Sequence, residues 1–202
     1  MNATAIPSFD PSLPRCWWPD GYAKADPRMV EYHDREWAIP VDDDVALFER
    51  FCLEVFEAGL SWALMLRKRE GFRAAFAGFD PAAVAAFTER DAERLMADTA
   101  IVRNRRKVEA TIVNARAWLE LGAAEGSVAR FLAARTELPV PRRPPSDRLA
   151  DVPGATPAAE RLSRELASRG FAFVGPRIVY AFMQSVGMVD DHLAGCHRYR
   201  GA

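Results

Sequence analysis

Near its carboxyl end the chain reads "DDHLAGCHRYRGA". His192 and Cys196 stand four residues apart, on one face of a helical turn, a spacing that lets two side chains meet one metal ion. The chain has only three histidines and three cysteines, so the partners must come from few candidates: Cys16 in "RCWWP" and His33 in "EYHDREW". Together the four form a Cys₂His₂ set that completes tetrahedral zinc and leaves no position for water. Such an ion would be structural and would staple the amino end to the carboxyl end. A zinc hydrolase, which needs an open coordination position, is disfavoured. His197, beside Cys196, is a rival ligand that spacing does not separate, and a metal-free scatter of thiols and imidazoles is the plain alternative. Cys52 falls on an apolar helical stripe and reads as a core thiol.

A second group lies in "CLEVFEAGLSW". At helical pitch Glu54 projects roughly 20° from Leu47, at the border of an apolar stripe. Gly59 ends that helix and Trp62 follows, while Tyr32 and Trp37 flank His33. A carboxylate in a pocket walled by aromatic rings selects a flat cation, by charge and by stacking. The competing reading is an ordinary boundary glutamate beside core tryptophans. A third group is "DTAIVRNRRK", where a turn introduces a basic run. Arg103, Arg105, Arg106 and Lys107, with the turn amides, could grip a phosphate backbone; a solvated basic face explains the same run. The "RKR" at Arg67–Arg69 is a weaker version of that pattern.

The elements that must carry these residues are helices. "DPRMVEYHDREW" has Asp26 as N-cap and Pro27 at the first helical position. "DDDVALFERFCLEVFEAG" sets Val45, Phe48, Phe51, Cys52, Val55 and Gly59 on one stripe, with acids at the positive helix end. Comparable apolar spacing continues to a Pro-dense loop, "TELPVPRRPPSDRLADVPGATP", and resumes in two final helices. Strand alternation is nearly absent, so the expectation is an all-α protein of eight to ten short helices behind a flexible arm over residues 1–14.

Composition narrows the class. With 50% hydrophobic and 27% charged residues the chain is globular, and its length supports a real core in one medium-sized unit. A net charge of −1 offers no global attraction to nucleic acid or membrane, so any anion binding must be local. There is no signal-peptide pattern and no apolar run of membrane-spanning length. Three cysteines without a framework spacing suit a reducing compartment, and the cytoplasm is the expected location.

Several segments together, "YHDREW", "AGLSW", "KREGFRAAFAGFDPAAVA", "IVRNRRKVEATIVNARAW" and "SRGFAFVGPRIVYAFMQSVGMVDDH" with the flanking Cys16 and Cys196, closely resemble the DNA-3-methyladenine glycosylase I family of bacterial base-excision repair enzymes. The likeness runs in register from about Arg15 to about Tyr199. It implies a helix-hairpin-helix fold over residues 15–202, with the hairpin part at 43–135. One structural zinc on Cys16, His33, His192 and Cys196 would hold residues 15–42 against 155–202. It implies that Tyr32, Glu54 and Trp62 line a pocket for a flipped base, with Trp37 nearby, and that Gly59 and Leu60 wedge into the duplex. The implied partner is double-stranded DNA carrying alkylated bases, met by a monomer with no organic cofactor. The implied reaction is monofunctional hydrolysis of the glycosidic bond of 3-methyladenine, since no lysine is placed for a Schiff base; a non-catalytic or substrate-shifted damaged-DNA-binding member of the same family is the alternative.

The chain departs from the family pattern at several points. Val55 and Phe56 add bulk after Glu54, and Glu57 replaces an amide, where a second carboxylate would raise the pKa of Glu54. Ala38 replaces a customary glycine after "EW", and Asp190 replaces an asparagine. Ala100 replaces a hairpin glycine and would be strained if its φ were positive.

Overall fold

A computed structural model of the chain describes residues 10, 12–16, 18, 26–137, 140–141 and 152–199. Most of the expected arm over 1–14, and residues 138–139 and 142–151 of the Pro-dense loop, lie outside the described residues. The end of the arm that is described is tied down: the guanidinium of Arg15 donates to the carbonyls of Leu13 and Asp10, and His197 N–H donates to the Pro14 carbonyl at 2.8 Å.

Among the described residues there are nine α-helices and no β-strand, as the spacing predicted. They are α1 (Pro27–Arg35), α2 (Asp44–Glu57), α3 (Trp62–Ala75), α4 (Pro81–Ala85), α5 (Glu89–Ala97), α6 (Arg105–Glu125), α7 (Val128–Ala133), α8 (Pro157–Ser168) and α9 (Pro176–Ser185). Their starts are written in side-chain caps. Asp26 accepts from Arg28 N–H ahead of Pro27, Asp43 from Ala46, Asn104 from Lys107 and Thr156 from Ala159. None of the described helices is long and apolar enough to cross a membrane.

The stripe expected on α2 is replaced by burial all round. Every side chain from Leu47 to Phe56 is buried, whereas Val45 is 39% exposed. The reason is position: α2 is the central helix, packed on α3, α6, α7 and α9. Phe51 meets Trp118, Phe171 and Phe182, and Phe56 meets Phe72 and Phe76, with ring centroids 4.6–5.7 Å apart. Each such ring contributes roughly 1.5–3 kcal/mol through burial. Cys52 is fully buried in this core, as expected of a packing thiol.

Two charged residues of the same helix, Glu49 and Arg50, are also buried and therefore need partners. Arg50 pairs with Glu36, while Arg69 on α3 pairs with both Glu36, at 2.8 Å, and Glu49; Arg73 reaches Glu49 at 2.9 Å. This network fixes the end of α1, and hence Trp37, to α2 and α3.

Backbone strain falls at a different place from the one expected. Ala100 is not among the residues with positive φ, whereas Ala38 is, at 58°. The Ala100 methyl finds room because Gly71 on α3 faces it; a Cβ on Gly71 would lie 2.8 Å from that methyl carbon and 2.6 Å from the Ala100 carbonyl oxygen. Ala38 is held by its N–H bond to the Gln184 carbonyl at 3.0 Å, where residues 38–40 cross the end of α9. Gly187 makes that crossing possible, since a Cβ there would come within 2.5 Å of Pro40 N.

Candidate functional site

Two structures, a cavity and a cluster of ligating side chains, share one wall. The cavity has a volume of about 300 Å³ and is lined by Tyr32, Trp62, Trp18, Trp37, Glu54, Glu57, Gln184, Asp191 and Leu193, among others. Tyr32 comes from α1, Trp37 from the turn after it, Trp62 from the first position of α3, and Gln184 from α9. The rings lie against one another, Tyr32 to Trp62 at 4.9 Å and Trp18 to Trp37 at 5.2 Å between centroids. A space of this size walled by aromatic rings suits one small molecule.

Glu54 points into that aromatic surrounding and is 5% exposed, so it is buried rather than placed at the border of a stripe. Burial pushes its pKa up, and the neighbouring charge of Glu57 adds to the rise; Arg50 and the Ser185 hydroxyl pull it partly back, leaving it at about 8. The carboxyl therefore holds its proton at neutral pH. Burial likewise raises the Tyr32 phenol, which stays protonated. Asp191, also buried, accepts from the Tyr180 hydroxyl and, at 2.7 Å, from the Gln184 amide.

On the far side of Trp37, the ligand atoms of Cys16, His33, His192 and Cys196 all lie within 4.8 Å of one another, and all four residues are buried. Cys16 Sγ is 3.6 Å from His192 Nδ1; Cys196 Sγ is 3.5 Å from His33 Nε2 and 3.8 Å from His192 Nδ1. Zinc bonds of about 2.3 Å to sulfur and about 2.0–2.1 Å to nitrogen, at tetrahedral angles, leave sulfur and nitrogen ligands roughly 3.5 Å apart. The four residues fit a metal of that kind.

Their surroundings fit it too. Backbone N–H groups of Leu193 and Arg198 point at the two sulfurs, at 3.3 and 3.4 Å. His33 turns Nε2 to the cluster and Nδ1 to Asp34 at 2.8 Å, an arrangement that fixes ring orientation. Burial pushes the Asp34 carboxyl up, but Arg15 and His33 outweigh it and hold the group below its usual range. His197, the rival ligand, is occupied elsewhere, with Nδ1 on the Pro14 carbonyl and Nε2 3.5 Å from Asp34.

The ligands also position the cavity. Cys16 is two residues from Trp18, His33 adjoins Tyr32, and His192 lies between Asp191 and Leu193, so each segment holding a ligand offers its neighbour to the cavity wall. The two ends of the chain complete the cavity only when clasped together.

The remaining sequence candidates are placed as follows. Gly59, at φ 78°, and Leu60, 44% exposed, form the turn between α2 and α3. Arg103 and Arg106 are exposed at the start of α6, whereas Arg105 is engaged by Glu89 at 2.7 Å. Lys107 corrects the expected basic face. It is 6% exposed, and its ammonium donates to the carbonyls of Phe56 and Ala58. The α2 helix has no basic residue in its own last turn, and Lys107 supplies that charge from α6. Trp18, Gln184 and Asp191 were missed as cavity residues; "CWW" and the second Asp of "DDH", next to proposed ligands, carried the signal.

A family model described as methyladenine glycosylase matches residues 22–199. DNA-3-methyladenine glycosylase 1 of Escherichia coli (strain K12) is 43% identical over 189 residues, covering 94% of this chain and 98% of that protein. A crystal structure of 3-methyladenine DNA glycosylase I matches with a TM-score of 0.85 at 43% identity, over 92% of this chain and 99% of the other. A point variant of 3-methyladenine DNA glycosylase I, crystallised in complex with 3-methyladenine, matches with a TM-score of 0.81 at 35% identity, over 87% of this chain and 94% of the other.

Proposed function

The chain belongs to the methyladenine glycosylase family, and we propose that it is a DNA glycosylase that hydrolyses the glycosidic bond of 3-methyladenine in alkylated double-stranded DNA, monofunctionally and as a monomer in the cytoplasm. The observation that carries this reading is the burial of the Glu54 carboxyl in a cavity walled by Tyr32, Trp62, Trp37 and Trp18. No neutral ligand repays the cost of ionising an acid there, but a planar cation does.

Adenine methylated at N3 is such a cation, and its departure as a neutral purine needs no protonation. The task of the protein is then to take the nucleotide out of the stack, hold the charged ring between aromatic faces, and set Glu54 against it. Neutral adenine meets a protonated Glu54 and gains nothing from charge; the cation draws the proton off and gains the full attraction. Gly59 and Leu60 enter the gap the nucleotide leaves. α5, α6 and the connection over 98–104 serve as the hairpin on the DNA backbone, with Arg103 and Arg106 as its exposed cations and without Lys107.

Cys16, His33, His192 and Cys196 would hold one structural zinc. With four protein ligands it supplies folding energy rather than a reactive water. Its service to catalysis is indirect, through the cavity walls hung beside its ligands. The reading treats 15–202 as one unit, with 43–135 on DNA and 15–42 clasped to 155–202.

A binder without activity gains no support from Ala100, whose φ is not positive. Incubation with a methylated duplex and chromatographic identification of the released base tests the proposal. Free 3-methyladenine is expected; tight binding of the duplex with no base released would sink it.

A further inference from the structure

The aromatic cavity does not stand alone. A second cavity of about 680 Å³ adjoins it, lined by Ala58, Gly59, Ala155, Pro176, Arg177 and Ile178. The outer cavity thus lies beside the Gly59–Leu60 turn and the first turn of α9, where Arg177 is exposed. The two spaces share Glu54, Glu57 and Ala181. A nucleotide with its base in the inner space and its phosphates in the outer one must carry its sugar across that shared boundary.

Two carboxylates stand there, and their positions differ. Glu54 is enclosed and committed to the base. Glu57, the last residue of α2, is half-buried and faces both spaces. Asp191, the other acid in the inner cavity, does not line the outer one, and its Oδ2 already receives both Tyr180 and Gln184. Resting on the reading of the site as a base-excision pocket, we infer that Glu57 is the carboxylate that faces the sugar cation and takes the proton from the attacking water.

The step balances without any further reactant. The C1′–N9 bond breaks and its electron pair passes to the purine, which becomes neutral. A lone pair of water forms the new C1′–O bond. One water proton moves to a Glu57 oxygen and then to solvent, leaving an abasic sugar and free 3-methyladenine.

The charges around Glu57 are suited to this. Burial raises its pKa and Lys107 draws it partly back, so it is a better proton acceptor than a solvated glutamate. Lys107 keeps its ammonium on the Phe56 and Ala58 carbonyls on either side. Glu54 faces it from the same helix and Arg177 from α9.

The test uses the full chain, a methylated duplex and enzyme in excess, so that a single turnover is read. Duplex binding and binding of free 3-methyladenine are measured separately. For Glu57→Gln the rate of base release is expected to fall at least about tenfold, toward the range general bases supply, with both affinities and metal content within about twofold of wild type. Read at saturating enzyme, where the Glu54-dependent affinity no longer enters the rate, the rising limb of the pH–rate profile should vanish in Glu57→Gln and persist in Glu57→Asp. A wild-type rate and unaltered pH profile in Glu57→Gln would overturn the inference, as would a loss confined to base affinity. Failure of the wild type to release any base would instead overturn the reading beneath it.

Discussion

Lys107 donates its ammonium to the carbonyl oxygen of Ala58 at 2.6 Å, crossing from α6 to close the end of α2 just before the turn that carries Leu60. A residue that reads as part of a phosphate-binding run is thus a brace for the end of α2 and the Gly59–Leu60 turn. Lys107→Met should lower stability by about 1–3 kcal/mol by leaving buried carbonyls without a donor, seen as a lower chemical-denaturation midpoint. The salt dependence of duplex binding should not change. Arg103→Ala and Arg106→Ala should each reduce the slope of log affinity against log salt by about 1, with stability little altered. A reduced slope in the Lys107 variant would return that residue to the DNA surface.

Glu54 makes ligand affinity depend on pH. Its pKa of about 8 in the empty cavity means that a cation must displace a proton below that pH. Affinity for a permanently charged N-alkylpurinium should rise about tenfold per pH unit between roughly 6 and 7.5 and level off above about 8. Calorimetry should record proton release on binding. In Glu54→Gln the profile should be flat and the binding weak throughout, with metal content retained.

The same group governs stability in the opposite direction. The folded pKa lies above the unfolded one, so the native state binds more protons than the unfolded chain from about pH 4.5 to 8, and stability falls as pH rises through that window. A shift of this size costs on the order of several kcal/mol once complete. Glu54→Gln should therefore be more stable than wild type at about pH 8, and the advantage should disappear below about pH 4.5. Equal melting temperatures at the upper end of that window would show that the carboxyl is better solvated than its burial implies.

The Cys₂His₂ group that could hold a metal separates candidate ligands from their supports. Cys196→Ser and His192→Ala should lose bound zinc and melt at markedly lower temperature. His197→Ala should keep one zinc per chain. Asp34→Asn should keep the fold but lose about 10- to 100-fold in metal affinity, since it orients His33. Competition with a chromogenic chelator measures all four variants.

Ala38 and Gly187 form a matched pair at the crossing behind Trp37. Ala38→Gly should stabilise the chain by about 1 kcal/mol, because an L-residue at positive φ costs about that much. Gly187→Ala should destabilise by several times more, since its methyl would collide with Pro40 backbone. Thermal melts of the two variants, moving in opposite directions, are the expected result.

Much of this was legible in the sequence. The Asp26 and Pro27 start of α1 follows from local chemistry, which sequence records directly. The Cys₂His₂ set was legible because so few other histidines and cysteines compete. What escaped was set by tertiary position. The helical wheel of α2 shows a border at Glu54, but α2 is surrounded, so that border does not exist. Lys107 looks like its basic neighbours until the α2 terminus arrives beside it. Ala100 and Ala38 each replace an expected glycine, and only the fold tells which backbone turns left-handed. The cavity role of Trp18 and Asp191 depends on the meeting of segments from opposite ends of the chain, which no local pattern encodes.

The burial of Cys16, Cys52 and Cys196 has a chemical consequence for a protein of this occupation. Methylating agents that damage adenine also attack sulfur, and an exposed thiolate is a softer target than any ring nitrogen. Every cysteine in the chain is withdrawn beneath the surface, Cys52 with its proton firmly retained. That burial withholds the thiols from the same medium that creates the substrate.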